Sequence, residues 1–110
     1  MLPEFGTIVL VPFPFTDLTA TKVRPALVVS ARRDSSRDVV VCFVTSQVEK
    51  SVPHALLLEP TAKNGLKASS LVRFDKIATL DRGVILGEIG RVDPAQLRKY
   101  KKLFQGVFGF

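Results

Sequence analysis

Charged and hydroxyl side chains stand at the ends of apolar runs in this sequence. Arg24 precedes Pro25 and the run ALVV, and the TSQ segment at 45–47 follows the run DVVVCFV. Further along, LVRFDKI places Arg73 and Asp75 two positions apart, so in an extended strand both side chains project from the same face. A guanidinium at the entrance of an apolar strand is either a solvated end residue or a deliberately placed cation.

Each of these features also has a purely structural explanation. Arg73 and Asp75 can form an exposed ion pair, which contributes at most ~1 kcal/mol. A hydroxyl at a strand end, such as that of Thr45, usually satisfies the backbone of a turn. His54 follows Pro53 in a predicted loop, where a structural or solvated role is favoured.

The common signatures of other enzyme classes are absent from the sequence. It contains no phosphate-binding loop, no HExxH and no nucleophile elbow. One cysteine and one histidine provide neither an intrachain disulfide nor a plausible zinc set. Because Cys42 lies within VVVCFV, we expect a buried, inert thiol.

Composition and charge narrow the class of protein. The 110 residues suit a single domain spanning 1–110, and 46% hydrophobic with 24% charged residues is typical of a globular protein. No apolar run approaches the ~20 residues of a membrane span and no signal peptide opens the chain, so we expect a cytosolic protein. Sixteen Lys and Arg against ten Asp and Glu favour a polyanionic partner, although many small proteins are basic without one.

Short apolar segments predict a mainly β fold. Pro25 cannot donate to a sheet ladder, so it should be the first residue of its strand or mark an edge. Strands this short and closely connected suggest a small closed barrel or curled sheet. The predicted strands span residues 6–11, 25–30, 38–45 and 55–58, with further strands near 69–74, 76–79 and 85–92.

One loop and one helix complete the predicted elements. The segment PFPFTDLTATK at 12–22 contains two prolines and should form a functional surface loop. Asp93 can cap a helix that begins at Pro94. Its apolar face would comprise Leu97, Tyr100, Phe104 and Val107. The aromatic tail, with Phe108 and Phe110, is expected to dock on the barrel or on a second subunit.

The order and spacing of these segments resemble a known family. GTIVLVPFPFTDLTATKVRPALVVS is similar to the N-terminal signature of the MazF/PemK family, the toxins of type II toxin-antitoxin modules. FVTSQ and SSLVRFDKIATLD resemble its second and third motifs, and the resemblance extends from Gly6 into the C-terminal helix. It implies a small SH3-like β-barrel of the CcdB/Kid/MazF type with a C-terminal α-helix, usually a homodimer. It also implies a cytoplasmic, sequence-selective endoribonuclease that needs no metal or other cofactor and is held inactive by a cognate antitoxin.

The resemblance further implies roles for individual residues. Arg24 matches the family's arginine before proline, and Thr45 matches the threonine of its second motif, both implicated in cleavage. Arg73 and Asp75 match an R-x-D pair that is proposed to act as acid and base. The chain departs from the family where Lys76 and Ala78 replace a glutamine and an arginine, and where the 13–22 loop lacks a histidine. We further predict contacts with single-stranded RNA for Thr16, Lys22, Ser46, Gln47 and Lys76.

These implied roles are chemically consistent. Cleavage of RNA without a metal requires the 2′-hydroxyl to lose a proton, the phosphorane charge to be stabilised and the 5′-oxygen to gain a proton. Asp75 could be the base, Arg24 and Arg73 the anion stabilisers, and the Thr45 hydroxyl a phosphate donor. Because the pKa of arginine exceeds ~12, we favour an electrostatic role for Arg73 over that of an acid. The products would carry a 2′,3′-cyclic phosphate and a 5′-hydroxyl.

Two alternatives remain open from the sequence. A non-catalytic toxin of the same fold could bind a protein target, as CcdB-like relatives bind DNA gyrase, and Arg24 would then be dispensable. A degenerate homologue that only binds RNA is suggested by the departures at Lys76 and Ala78.

Overall fold

Six strands and one α-helix make up the described part of the protein. The computed structural model describes residues 3–13, 22–31, 33–48 and 52–109. Within these ranges a short 3-10 helix, Arg82–Val84, precedes the last strand, and α1 (Pro94–Val107) follows it. The strands are β1 (Thr7–Phe13), β2 (Lys22–Val28), β3 (Asp38–Thr45), β4 (Ala55–Leu58), β5 (Ser70–Asp81) and β6 (Gly87–Arg91).

All six strands belong to one curled antiparallel sheet. Their order is β4-β5-β3-β2-β1-β6, and each neighbouring pair is antiparallel. The edge strands β4 and β6 approach each other through the connection between β4 and β5, where Arg91 donates its backbone N–H to the Lys63 carbonyl at 2.8 Å. The predicted fold class, mainly β with a curled sheet and a C-terminal helix, is confirmed.

Apolar side chains are buried on both faces of the sheet. Because β1, β3 and the second half of β2 bury both of their faces, these segments are near-continuous apolar runs instead of alternating ones. One cluster faces α1 and includes Ile8, Leu27, Cys42, Val44, Val72 and Phe74. The opposite face carries a second cluster of Val9, Val11, Ala26, Val28, Val41 and Phe43. The candidate site described below lies on this second face.

The helix α1 is capped and packed as its sequence predicts. The Asp93 carboxylate accepts a hydrogen bond from the Ala95 N–H at 2.9 Å, and Pro94 occupies the first turn. Tyr100 and Phe104 make edge-to-face contacts with Phe74 of β5, at centroid distances of 5.3 and 6.0 Å. These contacts attach the helix to the same strand that carries Arg73 and Asp75.

The aromatic tail contacts the helix itself. The ring of Phe108 lies 5.0 Å from that of Phe104, yet Phe108 remains 46% exposed. Phe110 lies outside the described residues, so docking of the tail on the barrel or on a second subunit stays a prediction.

The two prolines interrupt the sheet less than predicted. β2 begins at Lys22 and β1 continues through Pro12 to Phe13, so the loop was predicted too long, and residues 14–21 lie outside the described part. Pro25 lies inside a central strand, so the prediction that it begins its strand or marks an edge was wrong. Pairing of β2 with β3 stops at Ala26, and pairing of β1 with β6 stops at Leu10. Pro25 therefore lies beyond the end of the β2–β3 ladder, and Pro12 lies beyond the end of the β1–β6 ladder. At these positions the missing N–H of proline costs no hydrogen bond.

Cys42 is fully buried, and burial raises the pKa of its thiol to about 12. The thiol is therefore protonated at neutral pH, as an inert core cysteine should be, and that prediction is confirmed.

No helix in the described ranges has the length and apolar character needed to cross a membrane.

The β4–β5 connection is tightly fixed against β6. The side-chain oxygen of Asn64 accepts hydrogen bonds from the N–H groups of Thr61 and Leu66, both at 3.0 Å. The next residue, Gly65, has φ +69°, and a Cβ there would overlap the backbone carbonyl of Ile89 in β6. Only glycine satisfies both the backbone conformation and this close approach.

Gly65→Ala should therefore lower the free energy of unfolding by about 3 kcal/mol, because alanine would combine an unfavourable φ with a clash against β6. Urea denaturation measures the change. Gly87→Ala is the matched control, since a Cβ at Gly87 meets no atom within 4 Å. Equal denaturation midpoints for the two variants would contradict the conclusion that only glycine at position 65 allows the β4–β5 connection to pack against β6.

Candidate active site

Three strands bring predicted site residues to one end of a sheet face. In the β2–β3 ladder Ala26 pairs with Phe43, so Arg24 and Thr45 lie two residues further along their strands. In the β3–β5 ladder Phe43 pairs with Arg73. Because alternate residues of a strand share a face, Arg24, Thr45 and Arg73 all project on the side of Phe43.

A pocket of about 260 Å³ lies between these strand ends. Its polar lining is made of residues predicted from the sequence: Arg24, Thr45, Ser46, Gln47, Arg73 and Lys76. Its apolar lining, which sequence reasoning missed, consists of Phe43, Val44 and Val52. Phe43 could have been found by its alternation with Thr45, whereas Val52 reaches the pocket from the segment before β4 and leaves no local signal.

A bulge in β5 separates Arg73 from Lys76. Cys42 and Phe43 are adjacent in β3, but their partners in β5 are Ile77 and Arg73, four positions apart. The intervening residues thus lie outside the regular ladder, and the segment predicted as two strands is one strand with this irregularity. Bulges re-aim side chains and are frequent beside active sites. Here the bulge lets Lys76 line the same pocket as Arg73.

Arg73 and Asp75 form a bidentate ion pair. The Arg73 Nε donates to one Asp75 carboxylate oxygen at 2.8 Å, and Nη2 donates to the other at 2.7 Å. This hydrogen bonding raises the pKa of Arg73 and lowers the pKa of Asp75. Arg73 is therefore a poor proton donor. Asp75 is ionised at neutral pH, but both of its oxygens already accept hydrogen bonds, and it does not line the pocket itself.

Arg24 differs from Arg73 in its surroundings. Its side chain is exposed and has no hydrogen-bond or ion-pair partner within the part of the chain that the structure describes. Thr45 uses its hydroxyl oxygen to accept a hydrogen bond from the Gln47 N–H at 3.2 Å, as expected for a hydroxyl in a turn. The Thr45 hydroxyl proton remains available for donation. Among the described residues, the site thus offers an unpaired guanidinium, that of Arg24, and a hydroxyl donor, that of Thr45.

The remaining predicted RNA contacts are less central. Lys22 lies two residues before Arg24 on β2, on the same face, but it does not line the pocket. Thr16 lies outside the described residues. Among the described residues, no three His, Cys, Asp or Glu side chains gather as a metal-ligand set.

A second cavity, of about 350 Å³, lies along α1 and is almost entirely apolar. Phe5, Phe74, Leu97 and Phe104 contribute to its walls, and its ionisable lining residues in the described ranges are Tyr100 and Lys101. It contains none of the site residues predicted from the sequence, so the first pocket is the candidate active site.

The Arg73–Asp75 pair should make part of the free energy of unfolding depend on pH in the acid range. The pKa of Asp75 is lower in the folded than in the unfolded chain, so the pair stabilises the fold above the ordinary carboxyl value of 3.8. This contribution is lost as pH falls through the lowered folded value. Because the Asp75 side chain is 41% exposed, the effect should stay below about 1 kcal/mol. Thermal unfolding at pH 7 and pH 3 should show a smaller fall in Tm for Asp75→Asn than for the wild type, and equal falls would contradict the assignment.

Comparison with known proteins identifies relatives over nearly the whole chain. A family model described as the PemK-like, MazF-like toxin of type II toxin-antitoxin systems matches residues 4–108. No curated protein matches the chain.

Several solved structures share the fold. MazF from Deinococcus radiodurans is 23% identical, with a TM-score of 0.79, and the match covers 100% of this chain and 99% of that one. An endoribonuclease in complex with its cognate antitoxin, from a mycobacterial species, is 21% identical with a TM-score of 0.78, covering 98% and 96% of the two chains. The Mycobacterium tuberculosis toxin MazF-mt6 is 20% identical with a TM-score of 0.76, covering 94% and 97%. At these identities the structural matches establish the fold.

Proposed function

We propose that this chain, which belongs to the family of PemK-like, MazF-like toxins of type II toxin-antitoxin systems, is an endoribonuclease that cleaves single-stranded RNA without a metal ion. The observation that carries the proposal is the pocket in which Arg24, Thr45, Arg73 and Lys76 converge. Three cations and a hydroxyl donor in one pocket can bind a phosphodiester. The carboxylate of Asp75, which is bonded to Arg73, can take up the proton that is released when the phosphodiester is cleaved.

Phosphate binding begins at the cations of the pocket that have no partner in the described ranges. Arg24 is unpaired among the described residues, so its guanidinium can donate two parallel hydrogen bonds to phosphate oxygens without first breaking an ion pair. Lys76 adds a point charge and the Thr45 hydroxyl a further donor. Binding of this kind displaces counterions from the RNA, so affinity should fall steeply as the salt concentration rises.

Asp75 can act as a base once Arg73 shifts toward the phosphate. In the free protein both carboxylate oxygens accept hydrogen bonds from Arg73. A phosphate competes for the same guanidinium, since its oxygens match the same planar fork of donors. When Arg73 turns to the phosphate, Asp75 loses the hydrogen bonds that depress its pKa and becomes free to accept the 2′-hydroxyl proton. Substrate binding thereby activates the base.

The remaining steps follow from the charges in the pocket. The 2′-oxygen attacks phosphorus, and the negative charge of the phosphorane is met by Arg24 and Arg73. Water that reaches the open pocket protonates the leaving 5′-oxygen, because the raised pKa of Arg73 makes it a poor acid. The products carry a 2′,3′-cyclic phosphate and a 5′-hydroxyl, and the requirement for a 2′-hydroxyl distinguishes RNA from DNA.

A cognate antitoxin is the proposed protein partner. Solved relatives include an endoribonuclease bound to its cognate antitoxin and a MazE-MazF complex from Deinococcus radiodurans. For this chain, a hydrophobic segment with acidic side chains would complement the basic pocket and exclude RNA from it. The homodimer implied by the resemblance is part of the same proposal.

Cleavage of a long single-stranded RNA in EDTA tests the proposed function. Purified protein should cut the RNA at a limited set of sites and leave DNA of the same sequence intact. Added antitoxin should stop the reaction. RNA that stays intact at a high excess of antitoxin-free protein would contradict the proposal, and RNA that is bound but uncut would favour the degenerate RNA-binding homologue.

A further inference from the structure

His54 has an unusual backbone conformation close to the pocket. With φ 60° it is the one non-glycine residue of positive φ among the described residues. Such a conformation is unfavourable for a residue with a side chain, and it persists where surrounding contacts enforce it. The residue lies in the turn immediately before β4, outside the chemistry proposed above.

The imidazole of His54 is held against the last turn of α1. A Cβ built at Gly106 would lie 2.5 Å from its Cδ2 and 2.6 Å from its Nε2, so the ring occupies the space that a side chain at 106 would take. Gly106 lies within α1, where glycine is less favourable than alanine. Two residues that each break a local preference therefore meet in one contact, a coincidence typical of functional positions.

This contact fixes the segment that forms one wall of the pocket. Two residues before His54, Val52 lines the pocket, and immediately after it Ala55 pairs with Arg73 across the β4–β5 ladder. The helix is in turn attached to Phe74, the neighbour of Arg73 in β5. The same helix therefore contacts the segment that carries Val52, through His54, and the strand that carries Arg73, through Phe74.

We propose that His54 is a positioning residue, whose packing on Gly106 sets the separation between Val52 and Arg73 across the RNA pocket. The inference rests on the proposed function for its consequence, RNA affinity, but the contact itself acts in the free protein. Displacing the ring would move Val52 and the entrance of β4 relative to Arg73 without altering any group that takes part in the chemistry.

Gly106→Ala is the principal test, because the added methyl group takes the place of the imidazole while favouring the helix. The amide resonances of Val52 and Ala55 and the side-chain Nε–H resonance of Arg73 should shift in ¹⁵N–¹H spectra. The Kd for a non-cleavable 2′-deoxy RNA analogue should rise about tenfold, since small displacements of binding groups are costly. Gly87→Ala, whose Cβ meets nothing within 4 Å, should change neither.

Two further variants keep the test decisive should Gly106→Ala fold poorly. His54→Gly retains access to positive φ but removes the ring, so it should shift the same resonances and weaken binding similarly. His54→Gly combined with Gly106→Ala should match His54→Gly alone, because the methyl group then has no ring to displace.

The outcomes separate this inference from the proposed function. Unchanged Val52 and Arg73 resonances in both His54→Gly and Gly106→Ala would overturn the inference. It would also be overturned if the wild type binds RNA and the variants shift these resonances without changing the Kd. A wild type that binds no RNA, with variants that still shift these resonances, would contradict the proposed function and leave the positioning contact established.

Discussion

Replacing Arg24 with alanine is expected to lower kcat/KM for RNA cleavage by about 100- to 1,000-fold while leaving Tm unchanged. The side chain is exposed and has no hydrogen-bond or ion-pair partner among the described residues, so its removal breaks no polar contact there that would reduce stability. Activity should fall because, of the two arginines that line the pocket in the described ranges, only Arg73 is already paired with a carboxylate, and Arg24 can bind phosphate directly. Initial rates on a fluorescently labelled RNA and thermal unfolding measure the two quantities.

Two matched variants sharpen the Arg24 prediction. Arg24→Lys keeps the charge but loses the bidentate fork, so its kcat/KM should lie between those of the wild type and Arg24→Ala. Arg98→Ala removes an exposed arginine of α1 that does not line the pocket, and it should cleave RNA like the wild type. If Arg24→Ala retained both cleavage and growth inhibition, the assignment of the site would be wrong. If growth inhibition persisted in a protein that never cleaves RNA, a CcdB-like toxin acting on a protein target would be favoured.

Asp75→Asn should reduce kcat by about 100- to 10,000-fold, the range typical for loss of a general base. Asparagine has nearly the same shape but cannot accept the 2′-hydroxyl proton. RNA affinity should be unchanged or higher, because Arg73 no longer has a carboxylate competing with the phosphate. The two variants therefore separate, with Arg24→Ala losing binding as well as rate and Asp75→Asn losing rate alone. Single-turnover cleavage and binding of a 2′-deoxy analogue measure the two effects.

The pH profile provides a further check on Asp75. Hydrogen bonding to Arg73 lowers the pKa of Asp75 in the free protein, so its carboxylate is ionised there throughout the range from pH 5 to pH 8. Because the pH dependence of kcat/KM reports the ionisation of the free enzyme, wild-type kcat/KM should show no acidic limb in this range. Full kcat in Asp75→Asn, or an acidic limb in the kcat/KM of the wild type between pH 6 and pH 7, would contradict the assigned role.

The resemblance of three sequence motifs to the MazF/PemK family predicted most of the polar lining of the pocket. Arg24, Thr45 and Arg73 match positions of those motifs, and they meet on one face because β2 pairs with β3 and β3 pairs with β5. The cap and apolar face of α1 were likewise predictable, since both depend on residues close together in the chain. These features of the helix required no knowledge of how distant segments meet.

The features that escaped prediction depend on tertiary contacts. The β5 bulge that turns Lys76 into the pocket results from a register shift against β3, which no local pattern encodes. Val52 reaches the pocket because β4 pairs with β5, and His54 meets Gly106 because α1 packs on the same strand. Pro25 was wrongly predicted to begin its strand or mark an edge. A proline is tolerated inside β2 because the β2–β3 ladder ends at Ala26, and the sequence does not show where that ladder ends.

The chemistry of the cleaved ends tests the central claim most directly. Wild-type protein and Arg24→Ala, purified in parallel, are incubated in EDTA with one long single-stranded RNA, and the fragments are analysed by mass spectrometry. The pocket described here predicts fragments with 2′,3′-cyclic phosphate and 5′-hydroxyl ends from the wild type, and almost none from Arg24→Ala. Intact RNA, fragments with 3′-hydroxyl and 5′-phosphate ends, or equal cleavage by the two proteins would contradict it.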